Sequence, residues 1–289
     1  MERFLVLSGN HKNNCLMKTK KCLINLFFII TFSILSQGLS AQNDSIINQT
    51  AFQRGEKLRF KLYYHSRATG NVSAGELVSE VKPERIYIDN NPNYHIVMVG
   101  KSKGAFNWFF KVRDRFESYI DEHHLLPSLF KKRIREGDYE TQRVVHFNQD
   151  SGSITYHNLK NGFKGLVKTP YQVQDLVSSI YYIRNWDFTS ACIGQKYYLN
   201  IFLDDSVHQI QFEYLGIKTI RTKLGRFECL KFKPRVITGD MFAEESPMTI
   251  YVSNDRNHLP ILAISKLSLG SVRMELEEYE GLRFSLALK

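Results

Sequence analysis

Residues 169–186 read TPYQVQDLVSSIYYIRNW, and they break the rhythm of the chain on either side. Val173, Leu176, Val177, Ile180 and Ile183 recur at helical spacing, which strands do not produce. Thr169 is suited to the N-cap, Pro170 to the first helical position, and Gln172 to the third, where it completes a capping box. Asp175 then opposes the positive end of the helix dipole, and Arg184 falls in the last turn, where a positive charge is favoured. Extended by Tyr181 and Tyr182, the stripe predicts one amphipathic helix over about 169–185, with Ile180 buried mid-stripe and Ser178 off it.

Around this stretch the period is two. In KLRFKLYY (57–64), Leu58, Phe60, Leu62 and Tyr64 face one way, and Lys57, Arg59, Lys61 and Tyr63 the other. RDRFESYID (113–121) alternates in the same way. LFKKRIREGDYETQRVVHF (129–147) reads as a hairpin about Gly137-Asp138, where glycine accepts positive φ. NNPN (90–93) reads as a turn, and HSRATGNVSAG and LKNGFKGLV as connections. About fifteen strand candidates accumulate, well above ordinary strand content. No βαβ unit, solenoid repeat or low-complexity linker interrupts them. Consecutive short strands with tight turns predict a mainly β protein. The expected architecture is one large curved antiparallel sheet or incomplete barrel, with the 169–185 helix packed on its concave face. One β-rich domain is expected over 53–284, after a flexible polar segment at 42–52.

The start of the chain has a different character. Lys18, Lys20 and Lys21 precede the apolar run CLINLFFIITFSIL (22–35), and SQGLSAQ (36–42) supplies small residues. That order is a secretory signal peptide over 1–41, with cleavage after Ala41 and Met17 as the more natural start. The apolar run is short for a membrane span. No cysteine follows the cleavage position, so no lipoprotein signal is read, and the expected location is periplasmic or at the outer envelope. Cleavage removes five positive charges and one negative, so the formal net charge falls from +10 to +6. The basic run KKRIR (131–135) reads as a solvated strand face that opposes aggregation, and export argues against nucleic acid as a partner. Cys192 and Cys229 remain, either bridged, as an oxidising compartment allows, or as free thiols.

Catalytic and metal motifs are missing from the sequence. It holds no HExxH and no CxxC, and His123 and His124 would point to opposite faces of a strand. Gly100-Lys101-Ser102 has the tail of a phosphate loop, but His95 stands where the earlier glycine is required. There is no GxSxG elbow. The acidic groups Asp114/Glu117/Asp121, Asp204/Asp205 and Glu244/Glu245 read as solvated faces. No catalytic residue, metal or cofactor is therefore assigned. AFNWFF (105–110) is a short helical turn or an aromatic loop whose adjacent rings cannot all enter one core. Trp108, Phe109, Tyr181, Tyr182 and Arg184 are the ligand-binding candidates. The helix stripe and the Phe106–Phe110 aromatics are expected to border one apolar space, with Arg184 meeting an anionic head group or serving only the helix dipole.

The order GEKLRFKLYY, WFFKVRDRFESYID with LLP, EGDY, VQDLVSSIYYIR, KTKLGRFECLKFKP, YVSNDRNHLPIL and GSVRMELEEYEGL resembles the domain-of-unknown-function 3108 family of exported bacterial proteins, from about Phe52 to Leu282. The family name implies no activity. Its pattern is similar to the half-barrel lipoprotein carriers of the periplasm, which implies a curved sheet covered by helix over an apolar cavity. The leading expectation is an exported, non-enzymatic protein that binds an apolar or amphipathic ligand, or an outer-membrane or other envelope protein. The alternatives are an interaction scaffold with a filled core, and a glycan hydrolase working through carboxylates. An empty apolar cavity favours the first, a packed interior the second, and a cleft with two facing acids the third.

Overall fold

The computed structural model describes residues 50–67, 70–238, 241–242, 248–267 and 269–288. The expected signal peptide, most of the 42–52 segment and the Glu244/Glu245 pair lie outside the described residues. Seventeen strands among the described residues form one sheet. The first nine are β1 (Lys57–Ser66), β2 (Gly70–Val81), β3 (Ile86–Ile88), β4 (Asn91–Ser102), β5 (Arg113–Asp121), β6 (Pro127–Glu136), β7 (Tyr139–Asn148), β8 (Ser153–Asn158) and β9 (Lys164–Lys168). The remainder are β10 (Val173–Gln174), β11 (Lys196–Leu203), β12 (Ser206–Thr222), β13 (Gly225–Thr238), β14 (Met241–Phe242), β15 (Met248–Ser253), β16 (Pro260–Leu267) and β17 (Gly270–Glu280). Two short helices, α1 (Phe106–Phe109) and α2 (Leu176–Ile183), complete the described residues.

Strand pairing is almost wholly sequential and antiparallel. The last strand, β17, pairs with β1, so the two halves of the chain join in the middle of the sheet. One arm runs from β1 through β2, β4, β5, β6, β7 and β8 to β9. The other runs from β17 through β16, β15, β13 and β12 to β11. β10 adds to β11 as the one parallel pair among the described residues. β9 and β10 end the two arms and share no ladder, so the sheet stays open. The arms still meet through side chains. Phe202 of β11 packs on Phe147 at 6.2 Å and Tyr156 at 5.7 Å, and Lys132 reaches Asp204 at 2.5 Å. The result is the curved, incomplete barrel that the alternation predicts.

Local chemistry sets the turns. Glu136 pairs with Tyr139 across Gly137-Asp138, and Gly137 has φ 57°, as the hairpin requires. The turn expected at 90–93 falls two residues earlier. Asp89 and Asn90 take φ 48° and 65°, Ile88 pairs with Asn91, and Pro92 lies inside β4. Asx side chains tolerate the left-handed region, so they displace the turn from the proline. Two segments read as connections contribute strand: β2 begins at Gly70, and β9 occupies 164–168.

The helix differs most from expectation. It spans Leu176–Ile183 only, and Asp175 is its N-cap. Gln172 has φ 60° and Val173–Gln174 pair with β11, so residues 169–174 cannot be helical. Asp175 Oδ1 accepts from the Val177 and Ser178 amides at 2.7 and 2.8 Å, and Ser178 Oγ accepts from the Asp175 amide at 2.8 Å. Thr169 and Gln172 imitate a capping box, but the working box is Asp175 with Ser178. Ser178 is consequently buried rather than solvated, while Ile180 is only partly buried. The expected contrast in sensitivity narrows. Ser178→Ala should cost about 1–3 kcal/mol, because the buried Asp175 amide loses its acceptor. Ile180→Ala should fall below the usual ~2–5 kcal/mol for core truncation. Equilibrium denaturation of the two variants checks this.

The end of the supposed flexible segment is also packed. Thr50, Ala51 and Phe52 are buried, and the Phe52 ring lies edge-on to Tyr94 at 5.0 Å and Tyr181 at 4.8 Å. Both cysteines are free. Cys229 is buried within its strand, where burial pushes the thiol up to about 12, whereas Cys192 is exposed.

Candidate functional site: an apolar cavity under the helix

α2 does not lie flat on the sheet. Between it and the concave face is a cavity of about 250 Å³. Leu58 and Phe60 of β1, Leu77 of β2, Met98 of β4, Phe116 of β5 and Met274 of β17 form its sheet side. Leu176, Ile180, Tyr181 and Arg184 form its helix side. Strand alternation accounts for the apolar wall. Phe60 lies opposite Leu77, and Met98 opposite both Ser79 and Phe116, so the inward sets of four adjacent strands line up. Leu176 is partly exposed at the helix N-terminus and offers an edge open to solvent.

The polar groups bordering the cavity bind one another. Tyr181 Oη and Ser79 Oγ are 2.8 Å apart. Burial, then the nearby Glu56 charge, pushes the Tyr181 phenol well above its ordinary pKa, so it stays neutral. Arg184 is 2% exposed and Glu56 0%. Their contact is bidentate, Nη1 to Oε1 at 2.6 Å and Nη2 to Oε2 at 2.8 Å. Arg184 Nε donates to the Asn257 carbonyl at 2.9 Å, and Nη2 to the Ala51 carbonyl at 3.0 Å. Burial opposes the charge on Arg184, but attraction to Glu56 outweighs it and its pKa is raised. The Arg184 carbonyl accepts from His258 Nδ1 at 2.7 Å. Arg184 thus joins the segment before β1, the end of α2 and the 254–259 connection. It is neither a solvent-facing dipole partner nor free for an anionic head group.

Asp175, at the other end of α2, is completely buried and also accepts from Ser118 Oγ at 2.5 Å. Burial raises its carboxyl to about 6, although the hydrogen bonds from Ser118, Ser178 and Val177 pull the other way. A carboxyl raised from 3.8 to about 6 holds its proton more tightly in the native state. Its stabilising contribution is full below the unfolded value and is lost as pH rises through about 6. Asp175→Asn has no such titration. The stability of this variant relative to wild type should therefore rise between pH 4 and 7, as measured by urea midpoints across that range.

The expected site residues separate. Tyr181 and Arg184 border the cavity. Tyr182 does not; it packs against the core and meets Trp186 at 6.2 Å. Trp108 stands 89% exposed on α1 and takes no part in the lining. Phe109 closes the α1 turn, and its side chain lies outside the described part. Among the described side chains, the AFNWFF segment and the helix stripe therefore do not border one space. Glu56 and the strand residues of the wall were not among the candidates. The inward alternation of Leu58 and Phe60 was the available signal for the wall.

The acids do not converge on this cavity. Glu117 engages Arg115 and His95, Asp121 caps the amides of His123 and His124, and Asp204 meets Lys132. Asp114 is raised to about 6 by burial and by neighbouring Glu136, away from the cavity lining. Among the described residues no group of three potential metal ligands occurs. No helix among them is long and apolar enough to cross a membrane.

A curled, incomplete β-barrel holding a capped helix over an apolar cavity is the class this geometry defines. Residues 59–277 match the family described as a protein of unknown function, DUF3108, and the chain belongs to that family. Its fold is similar to a β-barrel-like DUF1849 protein of Brucella abortus, with TM-score 0.52 and 11% identity over 79% of this chain and 98% of that one. A Bacteroides fragilis protein described as exported with a YmcC-like fold matches at TM-score 0.33 and 11% identity, covering 80% and 100% of the two chains. A Parabacteroides distasonis protein described as a lipoprotein matches at 0.35 and 11%, covering 80% and 98%. No curated protein matches the sequence.

Proposed function

We propose that this protein is an exported, non-enzymatic carrier that holds one apolar chain of an amphipathic molecule between α2 and the concave sheet. The apolar cavity of about 250 Å³ carries this reading. It exceeds the ~150 Å³ apolar cavity that admits benzene. It falls short of the ~300–1,000 Å³ typical of drug-sized sites. That volume suits part of a single acyl chain rather than the several chains of a lipoprotein anchor. The bordering hydroxyls and Arg184 already satisfy one another, so recognition rests on apolar burial and the polar head stays outside, at the Leu176 edge. Export is supported by the basic, apolar and small-residue order of residues 18–42. Native mass spectrometry of the chain taken from its own envelope should show an adduct in the mass range of a single-chain lipid. Protein recovered without any adduct, and unable to take one up from an envelope lipid extract, would favour the filled-core scaffold instead.

A further inference from the structure

Three of four neighbouring hairpin tips carry exposed apolar side chains that no core cluster among the described residues uses. Strands β16, β17, β1, β2, β4, β5, β6 and β7 are consecutive and antiparallel. The connections at 267–270, 66–70, 102–113 and 136–139 therefore lie at one end of the sheet. Side chains link them into an arc. The Tyr64 hydroxyl donates to the Leu269 carbonyl, the Tyr64 ring meets Phe106 at 6.0 Å, and a Cβ on Gly137 would come within 3.2 Å of Phe110. Trp108 is 89% exposed and Leu269 81%, and Phe110, Tyr139 and Leu267 are each more than half exposed. The α1 turn that projects Trp108 is braced from beneath, since Asn107 Oδ1 accepts from Arg113 Nη2 at 2.9 Å and Ser102 Oγ at 3.1 Å.

The charge between these side chains is mainly positive. Lys111 and Lys266 are exposed and make no ion pair among the described residues. Glu76 serves both Lys101 and Lys103, and Glu140 serves both Arg133 and Arg135. Exposed Asp138 and the partly buried pair Asp114 and Glu136 oppose them. Aromatic and aliphatic projections flanked by lysines match the interface of a bilayer, where Trp and Tyr sit at head-group level and Lys meets anionic lipid. We infer that this end of the barrel docks on a membrane surface bearing anionic head groups. The inference is independent of the cavity.

Of the two tryptophans, Trp186 is stacked on Tyr197 at 5.6 Å inside the fold, so a change in emission on adding vesicles reports Trp108. The chain recovered from its native compartment is mixed with phosphatidylglycerol vesicles and with neutral phosphatidylcholine vesicles. Binding should be stronger to the anionic vesicles and weaken with salt. Emission should shift to the blue and be quenched by brominated acyl chains. Combined Trp108→Ala and Leu269→Ala should weaken vesicle binding about tenfold or more without changing the melting temperature. The proposal is overturned if anionic vesicles leave Trp108 emission unchanged. It is equally overturned if Tyr198→Ala with Ile217→Ala, on exposed strand positions, weakens binding as much. A shift produced only by an envelope protein fraction would assign the rim to a protein partner.

Discussion

Arg184→Ala should destabilise the protein by about 3–5 kcal/mol, because it leaves the Glu56 carboxylate buried and unpaired. For a chain of this size that lowers the melting temperature by roughly 6–20 °C. The Ala51 and Asn257 carbonyls lose their donors in the same step. Arg184→Lys should recover only part of the loss, since an ammonium cannot reproduce the bidentate contact. Replacing Glu56 by Leu and Arg184 by Met together should cost less than Arg184→Ala alone, because no charge is then stranded. If the double variant is as unstable as the single, the backbone contacts rather than the ion pair hold this end of α2. Thermal melts of the four proteins separate these outcomes.

Phe52→Ala should cost about 3–5 kcal/mol, the range for a buried aromatic truncation. The ring is fully buried, edge-on to Tyr94 and Tyr181, with the Arg184 guanidinium 5.7 Å from its centroid. Trp108→Ala removes a larger side chain and should change stability by no more than about 0.5 kcal/mol, because Trp108 leaves the core unfilled wherever it points. Urea midpoints for the two variants make the comparison. Equal losses would contradict the burial assigned to both positions.

The strands were legible in the sequence because a half-buried sheet writes its two faces as alternation, as Leu58 and Phe60 against Arg59 and Lys61 show. The Gly137-Asp138 turn was legible for the same kind of local reason. The helix boundary was not. Thr169, Pro170 and Gln172 satisfy a start signal locally, but pairing of Val173–Gln174 with β11 holds that stretch extended. Tertiary pairing prevailed over a local propensity worth little by comparison. The burial of Ser178 followed the same displaced boundary. Glu56 and Arg184 are 128 residues apart, and nothing local in either segment marks the other. Arg184 read plausibly as a dipole partner because the helix end alone accounts for its charge. Trp108 and Phe109 were grouped with the helix because both segments interrupt the alternation. One interruption lies at a hairpin tip and the other inside the curl, a distinction that only strand order supplies.

The cavity beneath α2 is the centre of the functional reading, and titration with a fluorescent fatty-acyl probe tests it most directly. Wild-type protein should bind the probe saturably at one site. Ile180→Trp, which places bulk where Ile180 borders the cavity, should abolish that binding while the protein stays folded by circular dichroism. Trp108→Ala should leave probe affinity unchanged, since Trp108 lies outside the lining. Absence of saturable binding to wild type, or undiminished binding to folded Ile180→Trp protein, would contradict the account.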